Sequence, residues 1–413
     1  MSNSKFLKKF YVKTLPPDQP TYKIDKDVYQ RFDQRNNLTI GRPSWDEKMK
    51  AHTSKEKQTR AKRILEDKPG YHVEDYALFT AAGVVAETQG TRINQTNRGL
   101  TSWQSKAAPP DGVSRWEGSP AEAAEMIKRT AHFFGADLVG IAPLNPLWVF
   151  SHAYYYDGSH KEIVFADAEK PTETDEQLII PNSMRWVIVM GMRMDSEIIQ
   201  YAPSPVGCAG THVIYSRMAV LISTVAQFLR GIGYNAIPSL NDLALNIPMA
   251  IDAGFGEQGR NGKLISPEFG PSVRLCKVIT DLPMERDNPI SFGVKEFCRT
   301  CLKCADSCPA HAISKGEPTW TGPTISNAPG QYTWHLNNDA CRRYWASGPA
   351  DNCTTCIRSC PFTKGSSEIH DLSRMVIANF PALNSLFRRL DDTLGYGNEK
   401  DASKFWVSKN GKP

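Results

Sequence analysis

Between residues 119 and 284 the apolar positions alternate between a period near 3.6 and short dense runs. In SPAEAAEMIKRTAHFFG (119–135), Ala123, Met126, Ile127, Thr130, Ala131 and Phe134 recur at helical spacing. Ser119 stands as N-cap, Pro120 fits the first helical position, Glu122 completes a capping box and Gly135 stops the helix. DLVGIA (137–142) then reads as a strand and RWVIVMGM (185–192) as a second, buried one. YSRMAVLISTVAQFLRGIGYNAIP (215–238) predicts a long helix that stops at Gly231 or Gly233 and is followed by a short strand. SVRLCKVITDLPM (272–284) is a further strand. Helices interleaved with strands predict an α/β sandwich over residues 116–286. Residues 145–184, rich in Tyr, Pro and acids, interrupt it as an insertion.

The flanks are different. Residues 1–115 are polar and punctuated by Pro and Asn, which predicts an irregular N-terminal wrapping unit with short helices such as 44–67. From Asp287 the chain turns Cys-, Pro- and Gly-rich, marking a small domain over 287–370. Residues 371–413 form a tail with one helix at 371–380. The 413 residues are 40% hydrophobic and 23% charged, with a net charge of +5 spread along the chain. No long basic segment carries interleaved aromatics, which argues against nucleic acid as the main partner. No run approaches the roughly 18 apolar residues of a membrane span. The opening, MSNSKFLKKFYVKTLPPDQP, is basic without an apolar stretch, so no secretory signal is read there.

Ten cysteines change the picture, because the first 207 residues hold none and eight fall between 298 and 360. Such clustering reads as metal ligation, whereas a disulfide framework spreads over its domain. The first run is Cys298-x2-Cys301-x2-Cys304-x3-Cys308-Pro309, the bacterial ferredoxin spacing for a [4Fe–4S] cluster. The second is Cys341-x11-Cys353-x2-Cys356-x3-Cys360-Pro361, stretched at its first gap. In two-cluster ferredoxins the fourth cysteine serves the other cluster. That crossover predicts one cluster on Cys298, Cys301, Cys304 and Cys360, and another on Cys308, Cys341, Cys353 and Cys356. Zinc also favours C-x2-C pairs, but needs no Cys-Pro ending with crossover. Cys208 and Cys276 stand alone and read as buried structural thiols.

Two clusters in line form a one-electron wire, whose redox partner belongs in the α/β region. GFGEQG (254–259) matches G-x-G-x-x-G, but no strand leads into it and RNGKL opens no amphipathic helix. Gly254, Gly256 and Gly259 read instead as a loop allowing close backbone approach to a large flat ligand. The cobalamin motif D-x-H-x-x-G is absent, and DGSHKE (157–162) has the wrong spacing. The residues alone therefore reach an iron–sulfur redox enzyme whose acceptor is open.

The block from Tyr215 to Leu282, followed by the paired ferredoxin-type runs, resembles the corrinoid-binding core of respiratory reductive dehalogenases. The opening KKFYVKTLPP…YQRFDQRNN resembles the mature start of these proteins, after their twin-arginine signal. Within the family the chain looks closest to the enzymes acting on chloroform and trichloroethanes. The resemblance implies an α+β architecture: a nitroreductase-like sandwich binding cobalamin base-off, then a two-cluster ferredoxin domain. It implies reductive dechlorination of small chlorinated hydrocarbons, with two electrons passed through two [4Fe–4S] clusters to Co(I). It further implies a small integral-membrane anchor subunit, a membrane electron donor, and placement on the outer face of the cytoplasmic membrane after twin-arginine export.

Residue by residue, the family's tyrosine proton donor matches Tyr215, its arginine Arg274 and a pocket asparagine Asn241. Alone, these read as a core tyrosine, an ion-pair partner and a turn former. His212 reads as a cap or core filler rather than a cobalt ligand. Among the aromatics Trp320, Tyr332, Trp334, Tyr344 and Trp345, the last is assigned to the substrate border. Epoxyqueuosine reductase, a tRNA-modifying enzyme with the same cofactors, is the nearest alternative; it would carry a carboxylate as proton donor and a basic tRNA face. A plain ferredoxin module would not need about 290 residues ahead of its clusters.

Overall fold

The computed structural model describes residues 7–89, 98–155, 157–347, 352–364 and 367–407. Helices α1 (Glu47–Leu65), α2 (Val73–Thr88) and α3 (Pro120–Phe133) lead into strand β1 (Leu138–Pro143). Strands β2 (His152–Tyr154), β3 (His160–Ala166), β4 (Thr172–Glu173), β5 (Gln177–Pro181) and β6 (Trp186–Arg193) follow. Next come α4 (Pro205–Gly231), β7 (Ala236–Ser239), α5 (Asn246–Asp252), the short strands β8 (Glu257–Gln258) and β9 (Leu264–Ile265), and β10 (Val273–Thr280). The remainder carries α6 (Val294–Cys301), α7 (Lys303–Asp306), α8 (Asn338–Ser347), α9 (Thr355–Arg358), α10 (Glu368–Asn379) and α11 (Asn384–Thr393).

The central sheet is antiparallel throughout, in the order β1–β6–β10–β7. Its strands read as near-continuous apolar runs because both faces are covered. Ile188 and Met190 of β6 and Cys276 and Val278 of β10 pack with Met218, Ile222 and Val225 of α4 and with Ala123 and Ile127 of α3. Val187, Val189 and Ile279 point the other way, against Met249 and Ile251 of α5 and a second sheet. That sheet, β2–β3–β5–β4, is built from the segment expected as an insertion, and its β3 and β5 run parallel.

The capping box of α3 forms as its sequence predicts, with Ser119 and Glu122 each capping the other's backbone. The long helix differs from expectation at its start. α4 begins at Pro205, where Ser204 accepts a bond from the Gly207 amide, so Tyr215 lies in mid-helix rather than at its opening. The segment GTHVI is helical too, but its Gly and β-branched residues hide the periodicity. α4 is long and apolar enough to cross a membrane by length and composition, yet its apolar sides face the sheet and α2.

Two expectations about the flanks need correction. The helix expected within 44–67 forms as α1, Glu47–Leu65, but the N-terminal unit also holds a 16-residue helix, α2, that the sequence reading did not give. In α2 (VEDYALFTAAGVVAET) apolar residues lie on all sides, so no single stripe announces a helix. Phe79 of α2 packs against Cys208 and Ala209 of α4. The tail carries two helices, α10 and α11. The N-terminal unit is spread over the molecule: Lys13–Thr14 pairs with Ile290–Ser291, Arg31 donates to the Val149 and Ile163 carbonyls, and Glu56 pairs with Arg342 of α8.

One half-buried carboxylate ties this wrap to the core. Tyr22 Oη donates to Asp252 Oδ1 at 2.8 Å and Trp148 Nε1 to Oδ2 at 3.1 Å. Burial pushes the Asp252 carboxyl up to about 6, against the pull of those two donors and Arg286. A raised carboxylate makes the folded state bind the extra proton, so its contribution is greatest below the unfolded value near 4 and fades as pH climbs through 6. From about pH 5 to about pH 7 the wild type is expected to lose roughly 1 kcal/mol of stability relative to Asp252→Asn. Thermal unfolding of both proteins across that window checks this; a constant difference in midpoint would disprove it.

Candidate active site

The two cysteine runs fold alike. Leu302, after Cys301, has φ +53°, and Thr354, after Cys353, has φ +53° as well. Each left-handed residue opens a four-residue helix, α7 or α9. A left-handed backbone at a residue other than Gly is strained and persists where the surroundings enforce it. Here it folds the chain back sharply, so that cysteines three apart face one space.

Cys298, Cys301, Cys304 and Cys360 line one cavity, closed by Phe297, Leu302, Ile265, Pro361 and Phe362. Cys308, Cys341, Cys353 and Cys356 line another, much larger one. The grouping is the crossed one, with the last cysteine of each run joining the other set. None of the ten cysteines is in a disulfide. Among the described residues no three His, Cys, Asp or Glu side chains sit close enough to share a single ion, so each set rings a space rather than converging on one atom.

Burial pushes the thiols up: Cys298 and Cys341 to about 12, Cys301 and Cys353 to about 11, with Cys304, Cys356 and Cys360 raised as well. Such thiols ionise near neutrality only beside strong positive charge, which ligated iron provides. An all-sulfur donor set in an apolar shell fits an iron–sulfur cluster. Cys304 also lies within electrostatic reach of Cys356, so the two sets approach each other there.

The glycine loop requires a correction. Gly254, Gly256 and Gly259 do not line the large cavity. A Cβ on Gly254 would meet the Asn288 carbonyl at 2.6 Å and one on Gly256 the Ile265 carbonyl at 2.0 Å, so these glycines let the chain approach itself rather than a ligand. The loop serves the cysteines instead. The Arg260 amide donates to Cys298 Sγ at 3.5 Å, and its guanidinium holds the Cys298, Ser314 and Gly316 carbonyls. Asn261 donates to the Cys356 carbonyl at 3.2 Å. Sequence reading missed Arg260 and Asn261; RNG directly after the glycines was the available signal.

The large cavity holds about 1080 Å³. Tyr215, Asn241, Arg274 and Trp345 all line it, as do Trp334, Tyr344 and His212. Trp320 and Tyr332 do not; their rings pack on each other, 5.0 Å between centroids. Tyr29, Phe32, Trp148 and Phe150 complete the wall from the wrap and the insertion, and sequence reading missed them because they belong to no motif.

Helical spacing places Thr211 and Tyr215 on one face of α4. Arg274 Nη2 donates to Thr211 Oγ1 at 3.2 Å, and its guanidinium carbon sits 5.6 Å from the Tyr215 ring centroid. Asn241 Nδ2 donates to the Tyr215 hydroxyl at 3.1 Å. The turn carrying Asn241 is pinned by Asp242, which accepts from Ser239 Oγ at 3.0 Å, the Leu240 amide at 2.9 Å and Arg98 at 3.1 Å. His212 packs on Phe79, 4.2 Å between ring centroids.

Among the described residues Arg274 Nε, Trp345 Nε1, Thr354 Oγ1 and both amide atoms of Asn352 are buried and find no hydrogen-bond partner, and all four residues border this cavity. Orphaned polar atoms around an apolar wall fit a large ligand with a hydrogen-bonding rim. A corrinoid, with its amide side chains, has that character.

Comparison with known proteins agrees with this geometry. Residues 156–284 match the family model "Reductive dehalogenase subunit". The chain is 43% identical over 312 residues to the tetrachloroethene reductive dehalogenase of Sulfurospirillum multivorans, covering 73% of this chain and 61% of that one. The chain is thus similar, over most of its length, to reductive dehalogenases. Reductive dehalogenases are oxidoreductases. The chloroethene reductive dehalogenase of Dehalococcoides mccartyi strain VS is 28% identical over 469 residues, with 97% of this chain and 88% of that one covered. A solved reductive dehalogenase, described as suggesting a mechanism for B12-dependent dehalogenation, superposes with a TM-score of 0.69 at 22% identity, over 96% of this chain and 50% of that one. It shares the fold. The chain spans 61% of the Sulfurospirillum relative's length. These relatives bear the names of chlorinated ethenes, not of chloroform or trichloroethanes.

The crossed grouping makes a direct prediction. Cys360→Ser, a change in the second run, is expected to perturb the same cluster as Cys298→Ser, while Cys308→Ser perturbs the same cluster as Cys353→Ser. Low-temperature electron paramagnetic resonance of the four reduced variants checks the pairing. Matching spectra for Cys360→Ser and Cys353→Ser would overturn it.

Proposed function

We propose that this chain catalyses reductive dehalogenation of small chlorinated hydrocarbons with one or two carbons, chlorinated methanes and ethanes included. The observation that carries this reading is the meeting of Tyr215, Asn241 and Arg274 on the wall of a cavity that four cysteines also border. The similarity to reductive dehalogenases supports it, and the names of those relatives extend the substrate range to chlorinated ethenes. In this reading Cys298, Cys301, Cys304 and Cys360 hold one [4Fe–4S] cluster, Cys308, Cys341, Cys353 and Cys356 hold the other, and the large cavity takes the corrinoid with the substrate.

When bound, these groups supply the low-potential electrons that breaking a carbon–chlorine bond requires. The balance is simple: the substrate takes up two electrons and one proton, chloride leaves with the bonding pair, and a carbon–hydrogen bond takes its place. The chain's part is to supply the proton and exclude water. A phenol, ordinarily ionising near 10, stays protonated at neutral pH and serves as a general acid. Tyr215 gives up its O–H proton and keeps the electron pair as phenolate. Asn241 donates to that oxygen and the Arg274 guanidinium lies over the ring, so both stabilise the developing negative charge. Solvent then restores the proton. The aromatic wall suits substrates that carry no charge to grip.

The reading carries further proposals about setting: a small membrane anchor subunit, a membrane electron donor, and placement on the outer face of the cytoplasmic membrane after twin-arginine export. These rest on the resemblance of the N-terminal stretch and the cysteine runs.

Anaerobically purified protein is expected to contain iron and cobalt and to release chloride from a chloroalkane and chloroethene panel with a reduced viologen. Tyr215→Phe is expected to keep both metals and lose roughly two orders of magnitude or more in turnover. Full turnover in that variant would remove Tyr215 from the reaction, and absence of chloride release by the wild type on the whole panel would remove the function.

A further inference from the structure

Lys277 lies on β10 three residues beyond Arg274 and is fully buried, with a relative exposure of 0%. The reaction outlined above leaves it without a role. Burying an ammonium group is costly unless hydrogen bonds compensate it. Lys277 Nζ donates to the Leu240 carbonyl at 2.9 Å and to Asn246 Oδ1 at 2.8 Å. Asn246 Nδ2 donates to Asn241 Oδ1 at 2.7 Å and to the Leu240 carbonyl at 2.9 Å. Asn241 Nδ2 donates to the Tyr215 hydroxyl. Two asparagines in series thus connect a buried lysine to the phenol.

A lysine ammonium only donates, whereas each amide presents one accepting and one donating end. The oxygen of Asn246 must therefore face Lys277, which leaves its NH2 toward Asn241. The oxygen of Asn241 must then face Asn246, which leaves its NH2 toward Tyr215. The phenol oxygen becomes an acceptor at the end of the series, so its own proton is not spent on Asn241, and the hydroxyl belongs to a side chain on the cavity wall. Without the cation only the Leu240 carbonyl is left to orient Asn246, which weakens the bias on both amides, and a reversed Asn241 would take the phenol proton as a hydrogen bond instead of supplying one.

We propose that Lys277 is a positioning residue that sets the direction of the Asn246–Asn241–Tyr215 hydrogen-bond series, so that the Tyr215 proton is presented to the substrate cavity. This rests on the dehalogenase reading for its chemical purpose, but the direction of the series is a property of the folded chain. The same direction serves the product of proton transfer, since a phenolate at Tyr215 meets an N–H polarised by the cation behind it.

The test uses the full-length holoprotein in two variants. Lys277→Met removes the cation. Asn246→Asp changes volume very little and keeps a partner for Lys277, yet a carboxylate cannot donate to Asn241, so the series is interrupted without a cavity. Both are expected to retain wild-type iron and cobalt, to lose roughly tenfold in kcat and to keep KM within about twofold. Tyr215 is expected to ionise at higher pH in each than in the wild type, seen as the ultraviolet phenolate difference against the matching Tyr215→Phe protein and as an upward shift of the alkaline limb of kcat. The other titratable groups near Tyr215 are Arg274, His212 with Glu87, and, around the cavity, Tyr29, Tyr344, Lys263, His335 and the second cysteine set. All are unchanged in both variants, but each variant also makes the local charge one unit more negative, which raises phenol ionisation by itself. Asn246→Leu, a neutral control that breaks the series with Lys277 in place, is expected to show the same loss in kcat and the same upward shift, and a wild-type result for it overturns the proposal. Asn246→Asp with wild-type kcat and wild-type phenol ionisation overturns the proposal, whatever Lys277→Met does. Where the wild type itself releases no halide, the phenol titration still decides the series, and the failure falls on the proposed reaction.

Discussion

The edge strand β7 stops at Ser239, opposite Lys277, and pairs with only the second half of β10. Antiparallel β6 covers the other side of β10 along its whole length. Residues 273–276 therefore have no strand on the β7 side, and the chain turns there at Leu240–Asp242 instead of continuing the ladder. That turn brings Asn241 to the hydroxyl of Tyr215 on α4. The alternation of a strand does the rest, because Arg274 and Lys277, an odd number of residues apart, leave β10 on opposite faces. One bears on Tyr215 directly and the other reaches it through two asparagines.

The same economy appears in the cysteine region. A thiolate is a poor resident of an apolar interior, and of the eight cysteines in the two sets Cys301 and Cys308 are buried and the other six half-buried. Such surroundings disfavour thiolates without a compensating cation, so metal held there would be thermodynamically linked to folding. The left-handed residues Leu302 and Thr354 carry strain at matching points of the two runs. Arg260, buried at 1% exposure, binds three carbonyls around the first set and holds the glycine loop against it. Cys304 of the first set lies within electrostatic reach of Cys356 of the second, and the second set borders the large cavity beside Tyr215.

The wrap formed by the N-terminal unit is a structural part of this site rather than an appendage. Tyr29 and Phe32 lie in the cavity wall beside Trp148 and Phe150 from the insertion. Arg98 reaches the turn that carries Asn241 through Asp242, 3.1 Å away. Glu56 meets Arg342 one turn from Trp345. A site assembled from so many segments excludes water from several directions, and a low-dielectric pocket strengthens each hydrogen bond within it.

Local signals in the chain were sufficient for the capping box of α3 and the strands β1, β6 and β10, each of which rests on neighbours within a few residues, where spacing alone constrains geometry. The crossed partition of the cysteines needed the two-cluster ferredoxin rule as well, because Cys360 stands far along the chain from Cys298. Resemblance to a family pointed to Tyr215, Arg274 and Asn241, which composition and periodicity left as a core tyrosine, an ion-pair partner and a turn residue. The cavity itself was not legible, because its wall joins residues from Tyr29 to Ile357 that share no period or motif. Nor was the role of Lys277, since a lysine in a strand reads as a surface residue until the packing on both faces of the sheet is known. Which amide faces which donor is decided only when α4, β7, α5 and β10 meet, because the direction of a hydrogen bond belongs to a pair of groups and not to either residue.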